Sequence, residues 1–259
     1  MGRFHRHDDG TVHTHDHDEH GHEHHDHGDH SGYETGSQRI DVLESIFAEN
    51  DVRADYNRKA FESNGIRALN LMSSPGSGKT TVLGATLDEL AGEFAVGVIE
   101  GDIATDLDAA KLGGRGAQIS LLNTGNGFGG ECHLDAPMVN RALQGLDLPH
   151  LDLVIIENVG NLVCPAEFDV GEHAKAMVYS VTEGDDKPLK YPVMFRAVDV
   201  VLLNKIDRVP YLDVDVDAYL ARVREVNPTA TILPVSARTG AGMSAWFGWL
   251  RRFMAASAA

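Results

Sequence analysis

The chain is poor in cysteine, poor in basic residues and without a long apolar run. Cys132 and Cys164 are the only cysteines in 259 residues, too few for a disulfide framework, so they are core residues or metal and redox ligands. Lysine plus arginine number 22 against 39 acidic residues, which argues against a nucleic-acid surface. No stretch approaches the ~18 apolar residues of a membrane span, and no signal peptide is readable. We therefore expect a soluble, cytoplasmic protein that binds neither nucleic acid nor membrane.

Histidine dominates the N-terminal tail. Eleven of the 14 histidines lie in the first 30 residues, interleaved with aspartate, glutamate and glycine. Without apolar periodicity, residues 1–38 cannot bury a face, and we expect them to be disordered. An expression tag or a solvated tail without a ligand are alternatives, but the interleaved acids favour a metal reservoir, because imidazole suits nickel, zinc, copper and cobalt. The expected metal ligands are His13, His15, His17, His20, His22, His24, His25 and His27.

Residues 39–259 have the pattern of an α/β domain. Ile40 to Phe47 predict a leader helix, and a second helical stretch stops at Asn64-Gly65. Strands are then predicted at 66–72, 95–100, 117–122, 151–157, 176–182, 198–204 and 230–235. Helices are predicted near 79–91, 135–146, 214–226 and 242–254, the last with a core-facing stripe of Met243, Trp246, Phe247, Leu250 and Phe253. This alternation predicts a mostly parallel seven-stranded sheet with helices on both faces.

A phosphate-binding loop follows the first predicted strand. Residues 73–81 read Ser-Ser-Pro-Gly-Ser-Gly-Lys-Thr-Thr, a P-loop in which Ser73 replaces the usual first glycine. The glycines let backbone N–H groups surround a phosphate, Lys79 reaches the β- and γ-phosphate oxygens, and Thr80 offers its hydroxyl to Mg²⁺. The strand before and the helix after favour this interpretation over a chance glycine-rich turn. The predicted nucleotide-binding residues are Pro75, Gly76, Ser77, Gly78, Lys79, Thr80 and Thr81.

A guanine-recognition motif follows a later strand. Residues 204–207 read Asn-Lys-Ile-Asp, directly after an apolar segment. The Asp207 carboxylate can accept hydrogen bonds from guanine N1–H and N2–H₂, a donor pair that adenine lacks, so it would select GTP over ATP. We expect Lys205 to lie along the base plane and backbone N–H groups after the last strand to support the guanine. The predicted guanine-site residues are Asn204, Lys205, Asp207, Ser236 and Ala237.

Acidic residues follow two of the predicted strands. Glu157 ends an apolar strand at the place where P-loop enzymes hold Mg²⁺ or the attacking water. Glu100-Gly101-Asp102 ends another strand and Asp108 follows on the loop or helix after it, although a helix N-cap or a solvated acid is an alternative for Asp102 and Asp108. With Lys79, these three acids are the predicted catalytic residues, and Glu157 has the stronger pattern.

Cys132, His133 and Cys164 form a second candidate site. Free cysteine is commonly a small buried side chain, but both cysteines lie in loop-like stretches beside turn residues. Two thiolates and an imidazole suit zinc or nickel, with a further ligand from water or a second subunit. A catalytic Cys-His pair is disfavoured, because neighbouring residues on a strand point their side chains apart.

Three longer motifs resemble those of a known family. They are Cys-His-Leu-Asp-Ala at 132–136, Glu-Asn-Val-Gly-Asn-Leu-Val-Cys-Pro at 157–165, and the segment 182–192 with Thr-Glu-Gly-Asp-Asp-Lys-Pro and Lys-Tyr-Pro. Together they resemble the hydrogenase nickel-incorporation GTPases, HypB, over residues 39 to about 254. The histidine-rich tail resembles the nickel-storing subgroup. No cysteine precedes Cys132, unlike the subgroup with an N-terminal cysteine cluster, so a tight N-terminal site would be built from imidazoles.

The resemblance implies a P-loop protein of the dimerising metal-insertion class. It implies slow hydrolysis of GTP to GDP and phosphate, a GTP-dependent homodimer, and delivery of nickel to a [NiFe] hydrogenase large-subunit precursor with a small zinc-binding partner, HypA. It also implies that Cys132, His133 and Cys164 carry nickel or zinc near a subunit interface. Asp108 and Glu157 would join Thr80 near magnesium.

Two alternatives share parts of this pattern. The urease nickel GTPases are similar in the P-loop and in a histidine-rich leader, but their Cys-Pro-His motif is absent here. A nickel or zinc storage protein with a regulatory nucleotide site is the alternative from another class. A nucleoside or metabolite kinase is disfavoured by the guanine motif and by the Cys/His set.

Overall fold

The computed structural model describes residues 5–6, 12–13, 35–101, 112–122 and 133–256. It divides into two units, Met1–Val42 and Leu43–Ala259. In the first unit, β1 (His5–Arg6) and β2 (Val12–His13) pair antiparallel, with His5 opposite His13. The other seven predicted tail ligands, from His15 to His27, lie outside the described residues, so the predicted disorder and metal binding of the tail stay predictions.

A single long helix replaces the two predicted leader helices. Helix α1 spans Thr35–Ser63, so the prediction of two separate helices was wrong. Residues 48–55 contain neither glycine nor proline, and nothing in that stretch ends a helix. The predicted end at Asn64-Gly65 is confirmed, since Gly65 adopts a left-handed φ of 70°. The helix begins within the segment 1–38 that we assigned to the tail.

The sheet contains all seven predicted strands. Their order is β5-β4-β6-β3-β7-β8-β9 and every pair is parallel. The strands are β3 (Arg67–Ser73), β4 (Val96–Glu100), β5 (Gln118–Leu121), β6 (Leu153–Gly160), β7 (Ala174–Ser180), β8 (Val200–Asn204) and β9 (Thr231–Pro234). Because the strands are parallel, their carboxyl ends meet at one edge, where the predicted nucleotide residues follow them.

Helices cover both faces of the sheet, as predicted. The four longer helices after α1 were predicted from periodicity, whereas three short ones of four or five residues have no readable period. They are α2 (Lys79–Leu90), α3 (Ala136–Leu143), α4 (Cys164–Glu167), α5 (Lys187–Lys190), α6 (Pro192–Arg196), α7 (Val216–Val226) and α8 (Met243–Ala255). Within the described ranges, no helix is both long enough and apolar enough to cross a membrane.

The core follows the alternation of the central strand β3. Leu69 and Leu71 pack toward α2 and α8, and the buried stripe on α8 confirms the predicted core role of that helix. Ala68 and Met72 face the other side, where α1, α3, α6 and α7 contribute apolar side chains. Apolar burial at about 25 cal/mol per Å² makes these two layers the main stabilising term. The sheet is thereby a rigid platform for the loops at its carboxyl edge.

Candidate nucleotide site and adjacent metal motif

The P-loop lies between β3 and α2, as its motif predicts. Residues 73–81 and Gly160 line a cavity of about 280 Å³. Gly76 and Gly78 have φ angles of 73° and 98°, which side chains with a Cβ rarely adopt. A Cβ on Gly78 would also lie 2.6 Å from Asn204 Nδ2. The loop therefore keeps its shape only with glycine at this position.

Lys79, Thr80 and Glu157 meet below the loop. The Thr80 hydroxyl donates to Glu157 Oε1 at 3.2 Å, and Lys79 Nζ lies 3.7 Å from the same oxygen. Lys79 Nζ also donates to the backbone oxygen of Asn158 at 2.6 Å. Lys79 and Glu157 are both buried, at 5% and 0% exposed. Strand β6 continues to Gly160, so the expectation that Glu157 ends its strand was wrong by three residues.

Side chains of the guanine motif donate hydrogen bonds to the P-loop backbone. Asn204 Nδ2 donates to Ser77 O at 2.9 Å, and Lys205 Nζ donates to Gly76 O at 2.5 Å. Lys205 has a left-handed φ of 65°, the one non-glycine residue with a positive φ among those the structure describes. Such strain is retained where surrounding contacts fix the backbone. The phosphate and base halves of the predicted site are therefore one connected unit.

Asp207 is an oriented carboxylate beside this unit. Ser236 Oγ donates to its Oδ1 at 2.7 Å, and Arg238 Nη2 lies 2.9 Å from its Oδ2. The hydrogen bond from Ser236 and the pairing with Arg238 lower the pKa of Asp207 below its ordinary value, so the carboxylate is ionised at neutral pH. The Ala237 N–H donates to Asn204 Oδ1 at 3.1 Å, so its expected contact with guanine stays a prediction.

The described part of the metal motif lies beside the long helix. The His133 ring lies over Phe168 with ring centroids 4.1 Å apart, and Phe47 of α1 packs on the same ring at 5.2 Å. Cys164 is half-buried and begins helix α4, which ends just before Phe168. The expectation of a loop at Cys164 was therefore wrong, because proline at the next position favours the first turn of a helix.

Besides the tail histidines from His15 to His27, three predicted site residues lie outside the described residues. They are Asp102, Asp108 and Cys132, and their assigned roles stay predictions. Among the residues that the structure describes, no group of three or more histidine, cysteine and acidic side chains could hold a metal ion. The predicted Cys132, His133 and Cys164 site stays a prediction.

Two asparagines of α1 fix the backbone on both sides of this motif. Asn50 Oδ1 accepts from Ala136 N at 2.9 Å. Asn57 Nδ2 donates to Ala136 O at 2.9 Å and to Val170 O at 3.0 Å. One helix face therefore holds the segment after His133 and the segment after Phe168. Sequence periodicity did not reveal this role, since asparagine on a helix ordinarily faces solvent.

Glu183 is a further residue of the site that sequence reasoning left without a role. Its carboxylate accepts hydrogen bonds from the Ser74 hydroxyl of the P-loop and from Ser180 N. Burial raises the pKa of Glu183 above its ordinary value. The segment Thr-Glu-Gly-Asp-Asp-Lys-Pro, recognised only as a family motif, thus supports the entrance of the P-loop.

Together these contacts define a P-loop nucleotide-binding protein with a guanine-type motif. A family model described as "CobW/HypB/UreG, nucleotide-binding domain" matches residues 67–234. The chain belongs to this family.

Individual relatives and solved structures show which member of this family the chain is similar to. The chain is 50% identical over 216 residues to the hydrogenase maturation factor HypB of Azotobacter chroococcum, covering 83% of this chain and 70% of that protein. The crystal structure of HypB from Archaeoglobus fulgidus matches with a TM-score of 0.74 and 36% identity, over 80% of this chain and 99% of that one. The crystal structure of HypB from Helicobacter pylori in complex with nickel matches with a TM-score of 0.73 and 36% identity, over 80% of this chain and 95% of that one. The resemblance to HypB is confirmed.

Proposed function

We propose that this chain is a GTPase that binds nickel and supports its insertion into a [NiFe] hydrogenase precursor. Release of the metal would be coupled to GTP hydrolysis and to dimerisation. The observation that carries the proposal is the path of one segment. It holds Glu157 against Lys79 and Thr80 and reaches Cys164 seven residues later. The hydrogenase maturation role of the HypB relatives and the nickel complex of the Helicobacter pylori protein support it.

The nucleotide would be GTP with magnesium. Thr80 offers a hydroxyl and Glu157 a carboxylate, 3.2 Å apart, and hard oxygen ligands of this kind are those that Mg²⁺ prefers. Bound Mg²⁺ would neutralise charge that develops on the phosphates. Lys79 would bind the β- and γ-phosphate oxygens and Asp207 the guanine. Asp102 and Asp108 complete the proposed catalytic set.

The cargo site would consist of Cys132, His133 and Cys164. Thiolate and imidazole ligands bind nickel and also zinc. The tilted packing of His133 on Phe168, at 4.1 Å between ring centroids, would orient the imidazole before metal arrives. We infer that a GTP-dependent homodimer completes the site. The further partners would be the small zinc-binding chaperone HypA and the hydrogenase large-subunit precursor.

Nickel affinity should depend on the bound nucleotide. P-loop GTPases order their switch segments around the γ-phosphate and release them on hydrolysis, and Glu157 and Cys164 share one such segment. We expect nickel affinities with GDP and with a non-hydrolysable GTP analogue to differ by about 5- to 150-fold, the usual range of coupling free energies. The measurement is a nickel titration of protein lacking residues 1–34, which leaves α1 complete.

A reciprocal titration and a variant test whether the nucleotide and the metal site are coupled. By linkage, nickel should shift the affinity for the analogue by the same factor. Cys164→Ala should lose the nickel site while retaining its affinity for GTP. Equal nickel affinities in both nucleotide states would leave a GTPase with a bound metal and no release step. A structural zinc ion that does not respond to the nucleotide would also give equal affinities in both nucleotide states.

The tail should hold a separate pool of nickel. Deleting residues 1–34 should abolish binding of several ions of moderate affinity and leave the Cys132, His133 and Cys164 site intact. The tail pool should empty as pH falls below about 6, since imidazole must be neutral to bind a metal. Equilibrium dialysis counts the ions, and a control with the tail histidines replaced by asparagine keeps the length. Equal counts in full-length and truncated protein would contradict the reservoir.

A further inference from the structure

Asn158 contacts both the P-loop lysine and the residue that follows His133. Its side chain is fully buried. Its Oδ1 accepts from Leu134 N at 3.0 Å and from Val159 N at 2.9 Å. Its own backbone oxygen accepts from Lys79 Nζ at 2.6 Å. Both groups at Oδ1 are backbone donors, so this atom must be the amide oxygen.

The other half of the Asn158 amide is anchored in the sheet. Its Nδ2 donates to Asn70 Oδ1 at 3.3 Å, and Asn70 in turn donates to the buried Glu172 at 3.3 Å. A buried polar network is retained where each member is satisfied. Asn158 is thus held by partners on three different segments, and its side chain has little freedom to move independently of its backbone.

Leu134 is equally constrained on its own side. It is fully buried, and a Cβ added to Gly101 would lie 2.6 Å from its side chain. Its N–H reaches Asn158, and the next residue but one, Ala136, is held by Asn50 and Asn57. His133 therefore precedes a residue whose backbone position is set by Asn158.

We propose that Asn158 is a positioning residue that couples phosphate binding at Lys79 to the backbone of Leu134, the residue after His133. The proposal rests on the function proposed above. It adds a second connection between the two sites, besides the segment that runs from Glu157 to Cys164. Phosphate oxygens compete for the Lys79 ammonium, which now bonds the Asn158 carbonyl. The Asn158 side chain is bonded to the next amide of its own strand, so a shift of that peptide changes the hydrogen bond to Leu134.

The test follows the Leu134 amide by NMR hydrogen exchange in the metal-free, full-length protein. With GDP and with a non-hydrolysable GTP analogue, we expect its exchange rates to differ by about 5-fold or more, the lower end of ordinary coupling. Asn158→Ala should abolish that difference and leave GTP affinity within about 3-fold, because the lysine contact is made to the backbone. Asn158→Asp, which keeps an oxygen facing Leu134, should restore the difference.

Asn70→Ala is the matched control. It removes the other partner of the Asn158 side chain and leaves the acceptor for Leu134, so the nucleotide response should persist. Loss of the nucleotide response in this control would mean that any disturbance of the buried network removes it, and this would overturn the proposal. A nucleotide response that survives in Asn158→Ala would overturn it as well. Equal exchange rates in the wild-type protein would overturn it even if no variant folded.

A parallel titration separates this inference from the proposed function. Nickel titration of protein lacking residues 1–34, in both nucleotide states, reports the coupled release of metal without the contribution of the tail. If the Leu134 amide responds through Asn158 while nickel affinity does not change, metal release by nucleotide fails and the positioning role stands. If nickel affinity responds while the amide does not, the positioning role fails and coupling runs through Cys164 alone.

Discussion

Replacing Glu157 with alanine is expected to lower the free energy of unfolding of the nucleotide-free protein by about 3–5 kcal/mol, the usual cost of breaking a buried ion pair. Glu157 is 0% exposed, and Lys79 lies 3.7 Å from it at 5% exposed. The alanine variant would leave the lysine ammonium in the interior with less compensation and remove the acceptor of the Thr80 hydroxyl. Urea unfolding without nucleotide or metal measures the change.

Two variants distinguish a charge effect from a packing effect. The double variant Lys79→Met with Glu157→Leu should recover most of the loss, because an apolar pair of similar volume avoids desolvation of both charges. Glu93→Ala removes an exposed carboxylate that pairs with Arg251, and it should change the unfolding midpoint little, since solvent screens such pairs. An unfolding curve of Glu157→Ala that overlays the wild type would contradict the buried pair.

The fold was predictable because its signals are local. Most of the seven strands are short, largely apolar runs bounded by turn residues, and α2, α3, α7 and α8 repeat their apolar residues at helical spacing. The continuity of α1 is not predictable from periodicity, because its middle contains few apolar residues and this pattern predicts a break. The short helices α4, α5 and α6 contain four or five residues each, which is little more than one turn. A period cannot be read from such lengths.

The candidate site was predictable where chemistry depends on a fixed motif. The P-loop and the Asn-Lys-x-Asp motif have residue types that a phosphate and a guanine require. The roles of Asn50, Asn57 and Asn158 depend instead on contacts 24 to 113 residues apart in the chain. An amide side chain has no periodic or spacing signal that reveals such a partner. Buried polar residues of this kind become visible only when the fold brings their partners together.

Asp207→Asn is expected to weaken GTP binding by about 30- to 1000-fold, because guanine N1–H and N2–H₂ lose a charged acceptor. In the present structure the carboxylate is oriented by Ser236 Oγ at 2.7 Å and by Arg238. The asparagine keeps the shape of the side chain, so the loss reports on charge and on donor pairing. Isothermal titration with GTP measures it. Asp213→Asn, on the same stretch of chain, is the matched control and should bind GTP normally.

The same variant should gain affinity for xanthosine triphosphate. Xanthine keeps N1–H and has a carbonyl where guanine has its amino group, so the side-chain amide introduced by Asp207→Asn can accept from N1–H and donate to that carbonyl. A site with hydrogen-bonding groups rejects the base that leaves them unpaired, by factors of about 10⁴ in favourable cases. Wild-type protein should therefore prefer GTP and the variant should reverse or greatly reduce that preference. Unchanged GTP affinity together with no gain for the xanthine nucleotide would remove Asp207 from the base site, and the specificity for guanine would then have to come from backbone groups alone.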